Sequence, residues 1–488
     1  MRPVTVANRT RFAWLLPDLA MVAACVTLFY CLFLFQGYRK LFRDSDAGWH
    51  IVTGERILAT GELPRTDPYS FTRAGQPWFA WEWLSDVASG AIHRAAGLPG
   101  VALFYGAVIA AGVWLWFQLH WALHGNFLLA CAMTPLLLST SNIHWLARPH
   151  VIGWLFLAAW VLWLERPHPT FTWKDALFVV IFTALWANIH ASFFLAPVIA
   201  AIYAIGQWGR SRPARSSVCA LALLAGLANP YGWHLYAHIF RYLTDTDLLS
   251  RVGEFQSFRF DAAGTGQIVA TVILGMIGGT LALTQKRPQH FLLAIFFTAM
   301  ALRSARGLPL AALILLPFAN RAISEALPPD WDKFQAYAER LRAMDAGFRG
   351  WAVAALVLLA CFALLRTPGL RAATGFAPDQ FPVAAYPHIP ADARLYASDK
   401  FGGYLIYRSN GTRKVFFDGR SDLYGAEFLK QYGRLIDVRP GWQEYWDSFG
   451  FTHALLPQDS SLIAALEQRG WKPLFHDNTA TLLVKGGT

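Results

Sequence analysis

The chain has 488 residues, of which 55% are apolar and only 15% charged, where a soluble domain carries about 25% charged residues. It lacks the polar side chains to cover itself in water, which excludes an ordinary soluble enzyme. The net charge of +11 is not a nucleic-acid footprint: residues 367–488 hold 13 Lys and Arg against 12 Asp and Glu, a net of +1, so +10 lies in the apolar part, mostly in short loops.

Arg2, Arg9 and Arg11 open the chain, and the apolar run Phe12–Phe35 follows. It reaches the ~20 residues that span a bilayer and exceeds the ~7–15 of a signal-peptide core. Arg39, Lys40 and Arg43 follow without a small-residue cleavage site, so it reads as an uncleaved first span. Further apolar runs are Leu98–Leu119, Phe127–Ser141, Pro149–Leu164, Ala176–Ala187, Phe193–Trp208, Val218–Ala228, Ile268–Leu283, Phe291–Leu302, Leu308–Phe318 and Trp351–Leu365. The expected fold class is an α-helical polytopic membrane protein of about eleven segments, the shorter ones borrowing flanking Trp, His and Arg or being partly re-entrant. Cys25, Cys31, Cys131, Cys219 and Cys361 all lie in apolar runs, so no disulfide framework or thiolate metal site is expected.

Basic residues set the orientation. With the N-terminus in the cytoplasm, the inner breaks carry Lys174, then Arg210, Arg212 and Arg215, then Lys286 and Arg287, then Arg321, Lys333, Arg340, Arg342 and Arg349. That is the positive-inside pattern, and it leaves the C-terminal part outside. In the last inner break Trp331, Phe334, Tyr337, Leu341, Met344 and Phe348 recur at helical spacing. They predict an amphipathic helix, either at the membrane interface or packed on the other inner helix ends.

Two domains are expected: residues 1–366 in the membrane, with a large outer loop 37–97, and a small extracytoplasmic α/β domain over 367–488. In the latter, Arg394–Ser398, Lys414–Phe417 and His453–Leu456 read as strands. Ser460 or Ser461 caps a helix that Gly470 ends, and Trp471–Val484 reads as a hairpin around Asp477-Asn478. No phosphate loop, nucleophile elbow or metal-ligand spacing stands out there.

Once oriented, the unusual polar residues gather on the outer side. The first loop holds Asp44, Asp46, His50, Glu55, Asp67 and Glu82, and later outer loops hold His144, Arg148, His150, Asn188, His190, Asn229, His234, Arg303 and Arg306. Ionisable groups near a membrane are costly, so several on one face mark a candidate site. Asp44 and Asp46 form Asp-x-Asp, which suits a hard divalent ion such as Mg or Mn, or a general base on an acceptor hydroxyl, or merely a solvated loop edge. Arg148, Arg303 and Arg306 suit a phosphate, or else snorkel or pair with Glu82 or Asp46. The histidines match no metal-ligand spacing. Asp418, Arg420 and Asp422 either line a cleft or form an ion-pair turn.

The layout resembles the C-type (GT-C) membrane glycosyltransferases, among them protein O-mannosyltransferases, lipid A aminoarabinose transferases and oligosaccharyltransferase catalytic subunits. The shared features are an inner N-terminus, one span, and a large outer loop that opens with acidic residues, here Asp44-Ser45-Asp46. More closely, the chain is similar to bacterial membrane proteins in which D-x-D-x-x-W-H precedes Pro-x-x-Asp-Pro-x-Ser-Phe. Here these are Asp44–His50 and Pro64–Phe71, with Glu82-Trp83-Leu84, Arg148-Pro149-His150, Trp186–His190, Asn229–Gly232 and Asp418-Gly419-Arg420 as later elements.

The resemblance implies a sugar donor on a polyprenyl phosphate or diphosphate, taken from the outer leaflet of a bacterial cytoplasmic membrane. Asp44 or Asp46 would deprotonate or orient the acceptor, with or without a divalent metal. His50, Glu82, Arg148, His150, His190, Asn229, Arg303 and Arg306 would bind substrate, the arginines facing the departing lipid phosphate. No WWDYG-like acceptor motif is present. Rival readings are a transporter of an envelope component and a non-catalytic assembly subunit.

Overall fold

The computed structural model describes residues 15–166, 170–207 and 212–486. Arg2, Arg9, Arg11, the start of the first apolar run and Arg210 lie outside the described residues, as do the side chains of Arg212 and Arg215.

The helices of ten or more residues are α1 Leu19–Leu32, α2 Asp46–Thr60, α3 Trp83–Ala122, α4 Phe127–Asn142, α5 His150–Glu165, α6 Trp173–Ile189, α7 Leu195–Gly206 and α8 Arg212–Ala225. They continue with α9 Trp233–Thr244, α10 Gly266–Thr284, α11 Pro288–Arg303, α12 Gly307–Ala326, α13 Asp332–Asp345, α14 Trp351–Leu365, α15 Asp399–Arg408 and α16 Ser421–Ile436. Every apolar run read from the sequence coincides with one of them. By length and composition α3, α10 and α12 are each sufficient to cross a membrane, and a fourth span results if α1 and the segment Leu34–Lys40, bent by 70°, count as one. Others, such as Phe127–Asn142, His150–Glu165 and Trp351–Leu365, are apolar but shorter.

The exposed large apolar side chains lie largely on these helices: Val26, Ile181, Leu224, Ile273, Ile295 and Leu359. Their inward faces form one continuous core in which α3 packs on α1 and α5, and α12 on α10. An apolar exterior around an apolar interior is the pattern of a protein whose solvent is lipid.

At one end of the bundle α13 packs on α4, and Asp345 accepts from the Leu19 amide at 2.7 Å. This helix therefore rests on its neighbours' ends, while Tyr337 and Met344 remain exposed. At the other end stand the first loop, residues 37–97, and the C-terminal part. Strands β1 Leu395–Ala397, β2 His453–Pro457, β3 Lys472–His476 and β4 Ala480–Val484 form one sheet in the order β1-β2-β4-β3, with β1 parallel to β2 and the other pairs antiparallel. Ser460 caps the helix Ser461–Glu467.

The expected strand at Lys414–Phe417 does not form. Val415 instead makes an isolated parallel bridge with Ser70 of the first loop, donating to the Tyr69 carbonyl and accepting from the Phe71 amide. Its alternative partner is thus a distant loop rather than the sheet. Trp49, Val52, Tyr69 and Trp78 share a core with Phe381, Phe401, Leu405 and Leu482, so the first loop and the C-terminal part pack as one unit. Gly48 and Gly403 allow α2 and α15 to touch, since a Cβ on either would overlap the other segment's backbone.

Candidate active site

Where the bundle meets the unit formed by the first loop and the C-terminal part lies a cavity of about 1100 Å³, large enough for a sizeable ligand. Asp44, Asp46, Glu82, Arg148, His150, His190, Arg303 and Arg306 all line it. Apolar residues from the bundle, including Trp154, Leu195, Phe296, Met300 and Leu310, line it too.

Arg148, in the turn between α4 and α5, is the centre of the charged wall. Its Nη1 donates to Asp44 Oδ2 at 2.6 Å and to Glu254 Oε1 at 2.9 Å, and its Nη2 to Asp46 Oδ2 at 2.9 Å. Glu254 in turn accepts from Arg306 Nε at 2.6 Å through its other oxygen. A planar guanidinium with donors fixed in a fork suits such multiple pairing where an ammonium does not. Burial alone would lower the Arg148 pKa, but Asp44, Asp46, Glu254 and Glu82 outweigh it and hold the group well above its usual range. Burial would raise Glu254, yet Arg306 and Arg148 hold it well below the usual carboxylate range. Asp46 is pushed the other way, up to about 7, by burial, which Arg148 opposes and Asp44 and Glu254 reinforce.

A second polar group lies beside it. Gly54 on α2 and Gly90 on α3 let those helices cross in backbone contact. One turn away this puts His50 Nδ1 within 2.6 Å of Asp86 Oδ1, both nearly inaccessible. His50 Nε2 faces Glu82 Oε2 at 3.7 Å, and Glu82 Oε1 lies 3.3 Å from His190 Nε2. Burial raises Glu82 to about 8, with Arg148 and Arg306 opposing and Asp422 and Asp46 adding. Burial, with Arg306 and Arg148 nearby, lowers His190 to about 3, so its imidazole is neutral at pH 7.

The structure thus gathers most of the polar residues singled out in the sequence. His50 lies behind Glu82. Asn229 does not line the cavity: it donates to the Gly226 and Gly232 carbonyls and accepts from the Tyr231 amide, shaping a turn. His150 donates through Nε2 to the His144 carbonyl at 2.8 Å. Arg303 is exposed and, among the described residues, has no carboxylate partner. Arg420 is buried between Asp418 and Asp67, at 2.7 and 2.8 Å, with Trp78 beneath it, while Gly419, Ser421 and Asp422 reach the cavity. The segment is therefore both an ion-pair turn and part of the wall. Glu254 and Asp86 escaped the sequence reading. Glu254 stands in a stretch without a motif, and only its acidity between two apolar runs could have flagged it.

Among the described residues no group of three or more His, Cys, Asp or Glu side chains is placed to hold a metal ion. Arg148 occupies the position between Asp44 and Asp46 that a divalent ion would need, so this donor set does not fit one as it stands.

No protein-family model matches the chain, and no curated protein matches it by sequence. Solved structures do. The oligosaccharyltransferase of Archaeoglobus fulgidus in its apo form matches with a TM-score of 0.54 at 12% identity, over 90% of this chain and 69% of that one. The same enzyme tethered by a disulfide to an acceptor peptide containing the NVT sequon matches with a TM-score of 0.50 at 12% identity, over 90% and 68%. The chain has a GT-C-like fold. Its apolar helices and that fold are those of a membrane protein.

Proposed function

We propose that the chain is a membrane glycosyltransferase that moves a sugar from a polyprenyl-phosphate-linked donor to an envelope glycan, lipid or protein. The observation that carries this reading is one cavity with two kinds of wall: apolar side chains from the helix bundle, and arginines and carboxylates from the outer loops. A lipid phosphate presents this combination, an apolar tail with an anionic head, to a site at a membrane surface.

In the reaction an acceptor hydroxyl attacks the anomeric carbon as the bond from that carbon to the phosphate oxygen breaks, with inversion. The electron pair leaves with the phosphate, and the acceptor's proton passes to an acidic residue of the first outer loop. Negative charge grows on the departing phosphate, and cations fixed in advance stabilise it there. Arg303 is the cation best able to do so, because Arg148 and Arg306 are already engaged by carboxylates. In this reading about eleven segments cross a bacterial cytoplasmic membrane, with the N-terminus inside and residues 367–488 outside.

The test is to offer purified protein in lipid a panel of polyprenyl-phosphate sugars with candidate acceptors, and to follow release of the lipid phosphate. Turnover of one donor, reduced about 100-fold or more in Asp44→Asn and Asp46→Asn, is the expected result. Unimpaired turnover in both variants would remove these residues from the chemistry, and no turnover of any donor would count against the assignment itself.

A further inference from the structure

The acidic residues of the cavity are not equally free to take a proton. Asp44 accepts from the Asp46 amide through Oδ1 at 2.9 Å and from Arg148 through Oδ2. Asp46 accepts from Arg148 through Oδ2, and its Oδ1 is pressed against the backbone of Gly419. Glu254 spends one oxygen on Arg148 and the other on Arg306. A carboxylate whose oxygens are held by guanidinium or backbone donors has no lone pair aimed at a substrate and is a weaker base for it.

Glu82 differs on each count. It lines the same cavity, yet no Lys or Arg side chain lies within ion-pair distance among the described residues. Its neighbours are two imidazoles. The Ser192 amide donates to His190 Nδ1 at 3.0 Å, so His190 carries its proton on Nε2, which lies 3.3 Å from Glu82 Oε1. On the other side, the contact from His50 Nε2 to Glu82 Oε2 is 3.7 Å, beyond hydrogen-bond reach. Neither oxygen of Glu82 is therefore engaged by a guanidinium or a backbone amide in the described structure, and Oε2 faces only the more distant imidazole. Asp86 fixes the His50 ring from behind at 2.6 Å, in the arrangement by which a carboxylate orients a catalytic imidazole.

We propose that Glu82 takes the proton of the acceptor, with His190 and the His50–Asp86 pair as positioning residues, while Asp44 and Asp46 serve to hold Arg148. This rests on the glycosyl-transfer reading and assigns the base within it. The acceptor oxygen forms its bond to the anomeric carbon, the phosphate leaves with the electron pair of the broken bond, and the proton moves to Glu82 Oε2. Water in the cavity then removes that proton and restores the carboxylate. The groups facing Glu82 are His50, His190, Arg148, Arg306, Asp46 and Asp422, with Asp86 behind His50. The burial that raises its pKa to about 8 places it near working pH, where a general base is most effective.

The experiment has two arms on full-length protein in lipid. The first is a pH titration by infrared difference spectroscopy of protonated carboxyl groups, in the wild type, Glu82→Gln, Asp86→Asn and Asp46→Asn. It needs no substrate. A carboxyl band that titrates near pH 8, vanishes in Glu82→Gln, moves in Asp86→Asn and survives in Asp46→Asn is expected. A titration unchanged in Glu82→Gln overturns the proposal. The second arm measures kcat/KM against pH on whichever polyprenyl-phosphate sugar turns over. The expected profile rises through about pH 8 in the wild type and keeps that limb, at lower activity, in Asp46→Asn. Wild-type turnover by a folded Glu82→Gln protein overturns the assignment. Failure of every donor with the wild type would count against the glycosyltransferase reading, and the infrared arm would still decide whether Glu82 is the proton-carrying group.

Discussion

The backbone of Gly419 lies directly against the carboxylate of Asp46, so close that a Cβ at position 419 would overlap Asp46 Oδ1. Gly419 belongs to the C-terminal part, and Asp46 opens α2 in the first loop. Gly419→Ala must displace either the carboxylate or the wall of the cavity. The expected cost is about 1–3 kcal/mol of stability, as for overpacking in a core, together with a loss of turnover. Thermal melting and donor turnover of this variant, beside a control where an added Cβ meets nothing, such as Gly433→Ala, check it.

Arg148→Lys keeps the charge but not the fork. One ammonium cannot reach Asp44, Asp46 and Glu254 in the geometry the guanidinium achieves. Turnover should fall by about 100-fold. Arg148→Met should in addition lower the melting temperature, because it leaves the buried Asp46 and the half-buried Asp44 without their cation while Glu254 keeps Arg306. Melting curves and turnover of the two variants separate the contributions.

Arg303 and Arg306 should part company. Arg303→Ala removes an exposed cation without a carboxylate partner, so stability should change by less than about 0.5 kcal/mol, while KM for the phosphate-linked donor rises. Arg306→Ala leaves Glu254 short of a partner and should lower the melting temperature. Equal melting temperatures for both variants would contradict the pairing.

Acid should act through Glu254. Its folded-state pKa is held below the usual carboxylate value, so its contribution is fully present above about pH 4.3 and is lost as pH falls toward the folded pKa. Glu254→Gln should flatten the loss of stability below pH 4 relative to the wild type. Melting temperature against pH in a lipid nanodisc measures this.

The helices were legible in the sequence because an apolar run answers to a single requirement, burial in lipid or core, and a GT-C-like bundle satisfies it run by run. The polar residues were legible wherever they broke such runs: Asp46, Glu82, Arg148 and His190 meet around one cavity. What the sequence concealed depends on partners far along the chain. Glu254 has no local signature, and its place follows from Arg148 and Arg306, 106 and 52 residues away. Asp86 lies in the long first loop outside any motif read from the sequence, and only the Gly54–Gly90 crossing brings it to His50. Val415 has the composition of a strand, but its neighbour is Ser70. Asn229 illustrates the converse: a polar residue beside a span serves the turn rather than the cavity.

The shared core of the first loop and the C-terminal sheet has a consequence for how the protein is made. Trp49, Tyr69 and Trp78 emerge from the ribosome early, whereas Leu405 and Leu482, which they must pack against, emerge after the helices between them. The first loop therefore waits with its apolar faces uncovered until the chain is nearly finished. Gly419 closes against Asp46 only then, so the wall of the cavity is completed late in synthesis, and a ribosome stalled before residue 395 leaves behind a helix bundle whose cavity lacks that wall.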